Sequence, residues 1–272
     1  MTKEVSDNAP QLARRLKAHV LRMVHHANAS HVGSCLSSAD IVAVLYHSIL
    51  RVFPEQPEHP DRDRFILSKG HAAALLYAAL AERGFFPRDW LERYCEDGAP
   101  LAGHATRHGA PGVEVSTGSL GHGLPIGCGM AWAARHDRRS SRVFVLLSDG
   151  EMDEGSNWEA VLFAGHQKLA GLTAIIDFNG LQGFGAVNDV LNLEPLVDKF
   201  RACRWTARDV DGHDHAALEA ALAAPADNGA PTVVIARTIK GKGVGFMEGR
   251  LEWHYRSPKD EDLRLALKEI GE

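Results

Sequence analysis

With 272 residues, 45% of them hydrophobic and 24% charged, the chain has globular composition and enough length for one large domain with a sizeable core. A formal net charge of −5, with no basic stripe on any predicted helix, excludes a nucleic-acid footprint. Cys35, Cys95, Cys128 and Cys203 lack paired spacing, which argues against a disulfide frame or a zinc site and for reduced thiols in a cytoplasmic protein.

In chain order, the opening stretch MTKEVSDNAPQLARRLKAH carries charges throughout and no apolar core, unlike a secretory signal. Leu12, Leu16, Val20, Met23 and Val24 then predict a helix over residues 10–27. Ser37, Ser38 and Asp40 read as caps for a second helix over 41–50. A short strand is expected over 65–68 and an Ala- and Leu-rich helix over 71–83. Residues 98–123 are dominated by Gly, Pro, Ser, Thr and His with no period, and a loop that long in a compact domain points to function. A small-residue helix runs on to His136. Beyond it, strands over 142–148, 172–177, 204–210 and 232–238 alternate with helices over 158–168, 193–200 and 216–223, and a short helix closes the tail. This alternation predicts an α/β fold, a doubly wound parallel sheet with helices on both faces. No repeat, low-complexity tract or linker appears, so residues 1–272 are expected to form a single domain. No apolar run approaches the ~20 residues of a membrane span.

Ligands of open parallel sheets bind at the carboxyl ends of the strands. Asp149 stands at such an end, in Ser148-Asp149-Gly150-Glu151, and Asn179 closes the next strand before Gly180. One strand–helix–strand unit separates them, so both reach the same edge. A carboxylate beside an amide oxygen suits a hard cation such as Mg²⁺ holding a diphosphate. The same residues also serve as ordinary turn formers, and the pair alone leaves both readings open.

Asp149-Gly150 followed by Asn179 resembles the thiamine-diphosphate motif, normally Gly-Asp-Gly with a later Asn. In the same order as the diphosphate-binding domain of the transketolase family come Ser30-His31-Val32-Gly33, Ser68-Lys69-Gly70-His71, Gly103-His104 and Thr117-Gly118-Ser119-Leu120-Gly121. Asp211-Gly212-His213-Asp214, Lys240-Gly241-Lys242-Gly243 and Trp253-His254 complete the set. The chain is similar to that family over nearly its whole length. The resemblance implies a thiamine-diphosphate-binding fold in which Asp149, Asn179 and the Leu181 carbonyl bind Mg²⁺. Gly150 and Glu151 would turn backbone N–H groups to the diphosphate at a helix N-terminus, and Gly118, Ser119, Leu120, His71 and Lys240 would complete the cofactor site. His31, His71, His104 and His254 would be catalytic, moving protons and binding sugar hydroxyls. Glu154 resembles a glutamate at the interface between subunits. The His25-His26 pair and His213 read as structural, His213 as a loop brace, and His122 has no assigned role.

The resemblance further implies transfer of a two-carbon ketol unit from a ketose to an aldose, with the cofactor as electron sink. Ser148 replaces the motif's first glycine, a small-for-small exchange. Val32 and Ser34-Cys35 replace a Pro and an Ala-Pro in the substrate region, where they bear on which sugar, phosphorylated or not, is accepted. No stretch remains for the pyrimidine-binding domain that activates the cofactor. A partner chain carrying it is therefore expected, most simply as two copies of each chain. The alternatives are the diphosphate-binding subunit of a 2-oxo-acid dehydrogenase or decarboxylase, against which the Ser-x-Gly-His, Gly-His and Trp-His elements favour transketolase, and a nucleotide-binding module. For the latter, the glycines of residues 121–127 are mis-spaced and follow a loop.

Overall fold

The computed structural model describes residues 8–224 and 226–272; the first seven residues of the charged opening stretch read as unlike a secretory signal lie outside them. Helix α1 (Ala9–His26) starts at a capping box formed by Asn8 and Gln11, and buries Leu12, Leu16, Val20 and Val24 on one face. Helix α2 spans Val32–Val44 and runs on as a π-helical turn over Leu45–Ile49. It starts nine residues earlier than the expected 41, because Ser37 and Ser38 do not cap it. Both hydroxyls donate inside the helix to the Ser34 carbonyl, at 3.1 and 3.0 Å. Residues Val32–Ile49 are apolar and long enough to cross a membrane, longer than the sequence suggested, yet 89% of that stretch is buried inside the protein. It is a core helix.

Strand β1 (Arg64–Leu67) leads through a 3₁₀ turn into α3 (Ala73–Glu82), and the long loop ends at α4 (Gly123–His136). Then follow β2 (Val143–Ser148), α5 (Gly155–Gln167) and β3 (Leu172–Phe178). A small hairpin, β4 (Leu181–Gln182) and β5 (Gly185–Ala186), and the single turn α6 (Val187–Val190) occupy a stretch with no sequence signal. The chain closes with α7 (Leu196–Ala202), β6 (Thr206–Asp211), α8 (His215–Ala223), β7 (Thr232–Arg237) and α9 (Asp260–Ile270).

The five long strands pair in parallel in the order β1-β2-β3-β7-β6. Side chains on successive strand residues point to opposite faces, so β2 sends Phe144 and Leu146 to one core and Val143, Val145 and Leu147 to the other. Helices α1, α2 and α3 cover the first face; α4, α5 and α7 cover the second. Both faces being buried explains why the central strands read as continuous apolar runs. Two carboxyl ends, those of β2 and β3, lie side by side, with Ser148 opposite Asp177.

Close packing makes a specific demand on α5. A Cβ at Gly165 would sit 1.9 Å from the backbone carbonyl oxygen of Cys203, whereas one at Gly129 on α4 would meet nothing within 4 Å. Gly165→Ala is expected to destabilise the protein by about 2 kcal/mol or more, because backbone must shift. Gly129→Ala should be neutral or stabilising by up to ~1 kcal/mol through helix propensity. Urea unfolding of the two variants checks this; equal midpoints would refute the packing argument.

Candidate functional site

Asp149 leaves β2 and is 1% exposed, yet both its oxygens are occupied, accepting Gly150 N–H at 2.8 Å and Gly180 N–H at 2.7 Å. The second contact bridges the ends of β2 and β3. Burial, with Asp177 nearby, raises the Asp149 carboxyl above its usual range. Asn179 Oδ1 accepts the Leu181 N–H at 3.1 Å, and the Leu181 carbonyl accepts Lys240 Nζ at 2.9 Å. Burial lowers the Lys240 ammonium below its ordinary value. A Cβ on Gly150 would approach Gln182 to 2.9 Å, so the hairpin residue lies directly over that backbone.

Beneath these residues lies a fully buried ion pair, Lys69 Nζ to Asp177 Oδ2 at 2.5 Å. Lys69 also donates to the Ser34 carbonyl at 2.9 Å and to Ser38 Oγ at 3.4 Å. Asp177 accepts Ser37 Oγ at 2.6 Å, Asn179 Nδ2 at 3.4 Å and, on its other oxygen, Thr238 Oγ1. Burial alone would raise the Asp177 carboxyl, but Lys69 and these hydrogen bonds outweigh it and hold it low. Residues flanking the motif glycines show why the motifs are built as they are. Ser68 Oγ donates to Glu151 Oε1 at 2.5 Å, and a Cβ on Gly70 would collide with the Thr117 backbone at 2.5 Å.

Four imidazoles converge above this floor. The His31 ring lies 5.1 Å from His71, 5.9 Å from His104 and 5.0 Å from His254, centroid to centroid. His31 caps α2 in a left-handed conformation with φ 72°, a strained choice for a side chain with a Cβ. Its N–H donates to the His254 carbonyl at 2.9 Å, which binds the two segments. Burial lowers the His31 imidazole to about 4 and His254 to about 3, helped respectively by His104 and Lys240. His71 falls well below its ordinary value, chiefly by burial. His104 is exposed, and a Cβ at Gly118 would meet its ring at 3.0 Å.

A cleft of ≈ 470 Å³ is lined by His31, His71, His104, His254, Gly118, Leu120, Asp149, Gly150, Asn179, Leu181 and Lys240, all singled out from the sequence. Two residues of that set stand apart. Ser119 is exposed and outside the lining. Glu151 is buried beside the cleft: its N–H donates to Ser148 Oγ at 3.3 Å and its carboxylate accepts Gly121 N–H at 3.0 Å. The expected helix N-terminus there is instead a 3₁₀ turn, Gly150–Asp153, with α5 beginning only at Gly155. The sequence reading missed Asp153, Gln182, Phe184 and Tyr255, which also line the cleft. Tyr255 follows His254 directly and could have been found by adjacency; Gln182 and Phe184 sit on a hairpin without a pattern. Among the described residues, no group of three or more His, Cys, Asp and Glu is arranged to hold a metal.

Residues 9–272 match the family model described as transketolase, thiamine diphosphate binding domain. One chain of the apulose-4-phosphate transketolase from Actinobacillus succinogenes, named as a subunit, is 42% identical over 96% of this chain and 96% of its own length. A 6-deoxy-6-sulfo-D-fructose transketolase subunit from a Clostridium species is 37% identical over 95% of this chain and 94% of its own. Of solved structures, transketolase from Leishmania mexicana superposes with a TM-score of 0.91 at 28% identity, and that from Campylobacter jejuni with 0.90 at 30%. This chain covers 41% and 43% of those two chains. The two relatives named as subunits imply, by those names, a partner chain.

The imidazoles supply a direct test of the electrostatics. Folding lowers the proton affinity of His31 and His254 below the unfolded value of 6.5. Their neutral-state preference is therefore without cost above pH 6.5, and acidification from 6.5 towards 4 favours unfolding. Proton NMR titration should find both rings neutral down to about pH 5; midpoints near 6.5 would contradict the buried geometry.

Proposed function

We propose that this chain, which belongs to the transketolase family of thiamine-diphosphate-binding domains, is one half of a two-chain enzyme that moves a two-carbon ketol unit from a ketose to an aldose. It is a transferase of the transketolase type, and thiamine diphosphate is its cofactor. The observation that carries the reading is the gathering of Asp149, Asn179 and four imidazoles in one cleft at adjacent strand ends. Relatives named for apulose 4-phosphate and for 6-deoxy-6-sulfo-D-fructose support sugars with an anionic end as substrates.

Mg²⁺ is the proposed metal. Asp149, Asn179 and the Leu181 carbonyl are hard oxygen donors, the kind that Mg²⁺ takes together with phosphate oxygens. The buried Asp149 carboxylate, pressed by Asp177, is a group that a cation would stabilise. Gly118, Leu120, Gly150 and Lys240 line the same cleft and would hold the diphosphate end. Glu151 acts from behind, keeping Ser68 and Gly121 in place, and Ser119 has no contact with the cleft that would support its cofactor role. Bound thiamine diphosphate supplies the electron sink for the transferred two-carbon unit.

The chain's own contribution is binding and proton transfer. Neutral His31 can accept a proton from a sugar hydroxyl and return it, neutral His254 can donate a hydrogen bond to one, and neutrality spares the cleft extra buried charge. The Lys240 ammonium stands 3.1 Å from His254 Nδ1, so that nitrogen accepts and Nε2 carries the proton. His104, exposed at the cleft wall, is placed to meet substrate entering from solvent. The partner would bring a pyrimidine-binding domain, in an assembly with two copies of each chain. Residues 1–272 act as a single domain in this reading. The four unpaired cysteines support a reducing compartment, the cytoplasm.

Two experiments test the proposal. Asp149→Ala should weaken thiamine diphosphate binding by more than roughly 100-fold in the presence of Mg²⁺ and partner, followed by titration calorimetry. Unchanged affinity would remove Asp149 from the site. Purified free of host transketolase and given cofactor, Mg²⁺ and a panel of ketoses and aldoses, the chain should transfer no ketol unit until its partner is added. Turnover by this polypeptide alone would overturn the two-chain assignment.

A further inference from the structure

We propose that His213 is a positioning residue that fixes the Lys240 segment in the cleft by linking it to the buried carboxylate of Asp40 on α2. Asp40 is 5% exposed, and its oxygens accept His213 Nδ1 at 2.8 Å, His215 Nε2 at 3.0 Å and Lys17 Nζ at 3.1 and 3.2 Å. An ionised carboxylate can only accept, so His213 Nδ1 carries a proton. The other ring nitrogen, Nε2, lies 2.9 Å from the backbone nitrogen of Ile239, an N–H that can only donate. That nitrogen is therefore bare. The ring is neutral, in one tautomer, and tied at both ends.

What it ties is the segment that delivers Lys240. Thr238 is anchored through its hydroxyl to Asp177, and Gly241 N–H donates to the Gly33 carbonyl of α2 at 3.0 Å. His213 holds Ile239 between these two anchors. From there Lys240 reaches the Leu181 carbonyl and His254 Nδ1. An ammonium on a long flexible stem needs its backbone fixed if it is to meet two acceptors at once.

Each residue of the Asp211-Gly212-His213-Asp214 motif has a part in this latch. Asp211 Oδ1 accepts the His213 N–H at 2.8 Å and sets the turn. Gly212 N–H donates to the Arg237 carbonyl at 2.7 Å, and a Cβ there would meet Thr238 Cγ2 at 2.4 Å, so only glycine lets the turn come so near β7. Asp214 caps α8, accepting Ala216 and Ala217 N–H groups at 3.0 Å. The motif thus builds a rigid mount for one imidazole.

The test separates the two hydrogen bonds of the ring. Glutamine can place its side-chain oxygen where Nε2 stands and accept from Ile239. Asparagine is shorter; it can donate to Asp40 from the Nδ1 position but does not reach Ile239. Amide hydrogen exchange of the full-length chain, read over residues 238–243, should rise roughly five- to tenfold in His213→Ala and His213→Asn, with the sheet unaffected. His213→Gln, which keeps the Ile239 contact but not the Asp40 link, should restore part of that protection. Thiamine diphosphate affinity, measured with Mg²⁺ and partner, should fall in the same two variants and recover in part in the third. This affinity arm rests on the cofactor-site reading of the cleft; the exchange arm does not. Faster exchange with unchanged affinity would uphold the latch and count against that reading. Protection unchanged in all three variants, or asparagine matching glutamine, would overturn the latch. Should the alanine variant fail to fold, the comparison of glutamine with asparagine decides.

Discussion

The buried pair of Lys69 and Asp177 is the interaction on which the site depends. Taking two charges out of water is expensive, and their attraction compensates only if every remaining donor and lone pair is also satisfied. Here that condition is met. The three protons of Lys69 find Asp177, the Ser34 carbonyl and Ser38, and Asp177 collects Ser37, Asn179 and Thr238 in addition. Those partners come from the end of β1, from α2, from β3 and from the exit of β7. One charge pair thus fixes the mutual position of four elements, and each of those elements carries a residue of the cleft.

Helix α2 follows from this as the carrier of the site. Its first residue is preceded by His31, its Gly33 carbonyl holds Gly241, its serines meet the ion pair, and Asp40 receives His213. A helix so apolar would otherwise be interchangeable packing material. Its few polar residues are buried because each has a defined partner, and those partners bring distant segments to the cleft.

The chemistry of the cleft is set by low polarity around basic side chains. Neutral imidazoles are what burial and neighbouring cations produce, and neutral imidazoles are also what proton exchange with a sugar requires. Asp149, in contrast, is a carboxylate raised by its surroundings, at the strand end proposed to hold the cofactor's diphosphate. The same dry environment thus acts on the basic and the acidic side chains of the cleft in opposite directions.

The sequence by itself determined the parallel α/β architecture, since the apolar runs and intervening helical periods have no other simple way to be buried. It also determined the chemical identity of most of the cleft, because Asp149, Asn179, Lys240 and the four histidines stand in short motifs readable without coordinates. Tertiary structure decided what was non-local. Ser37 and Ser38 look like caps in sequence and become buried hydrogen-bond donors, because a serine's role depends on whether a partner such as Asp177 arrives from 140 residues away. Lys69 reads as the unspecified member of Ser-x-Gly-His and turns out to be the buried cation. Glu151, expected to present its backbone N–H to a ligand, gives that N–H to Ser148 Oγ, while its carboxylate meets Ser68 and Gly121. Gln182 and Phe184 reach the cleft on a hairpin too short to carry a periodic signal. Periodicity records which face of an element is dry; it does not record which two elements meet there, and hydrogen-bond partners are settled only by that meeting.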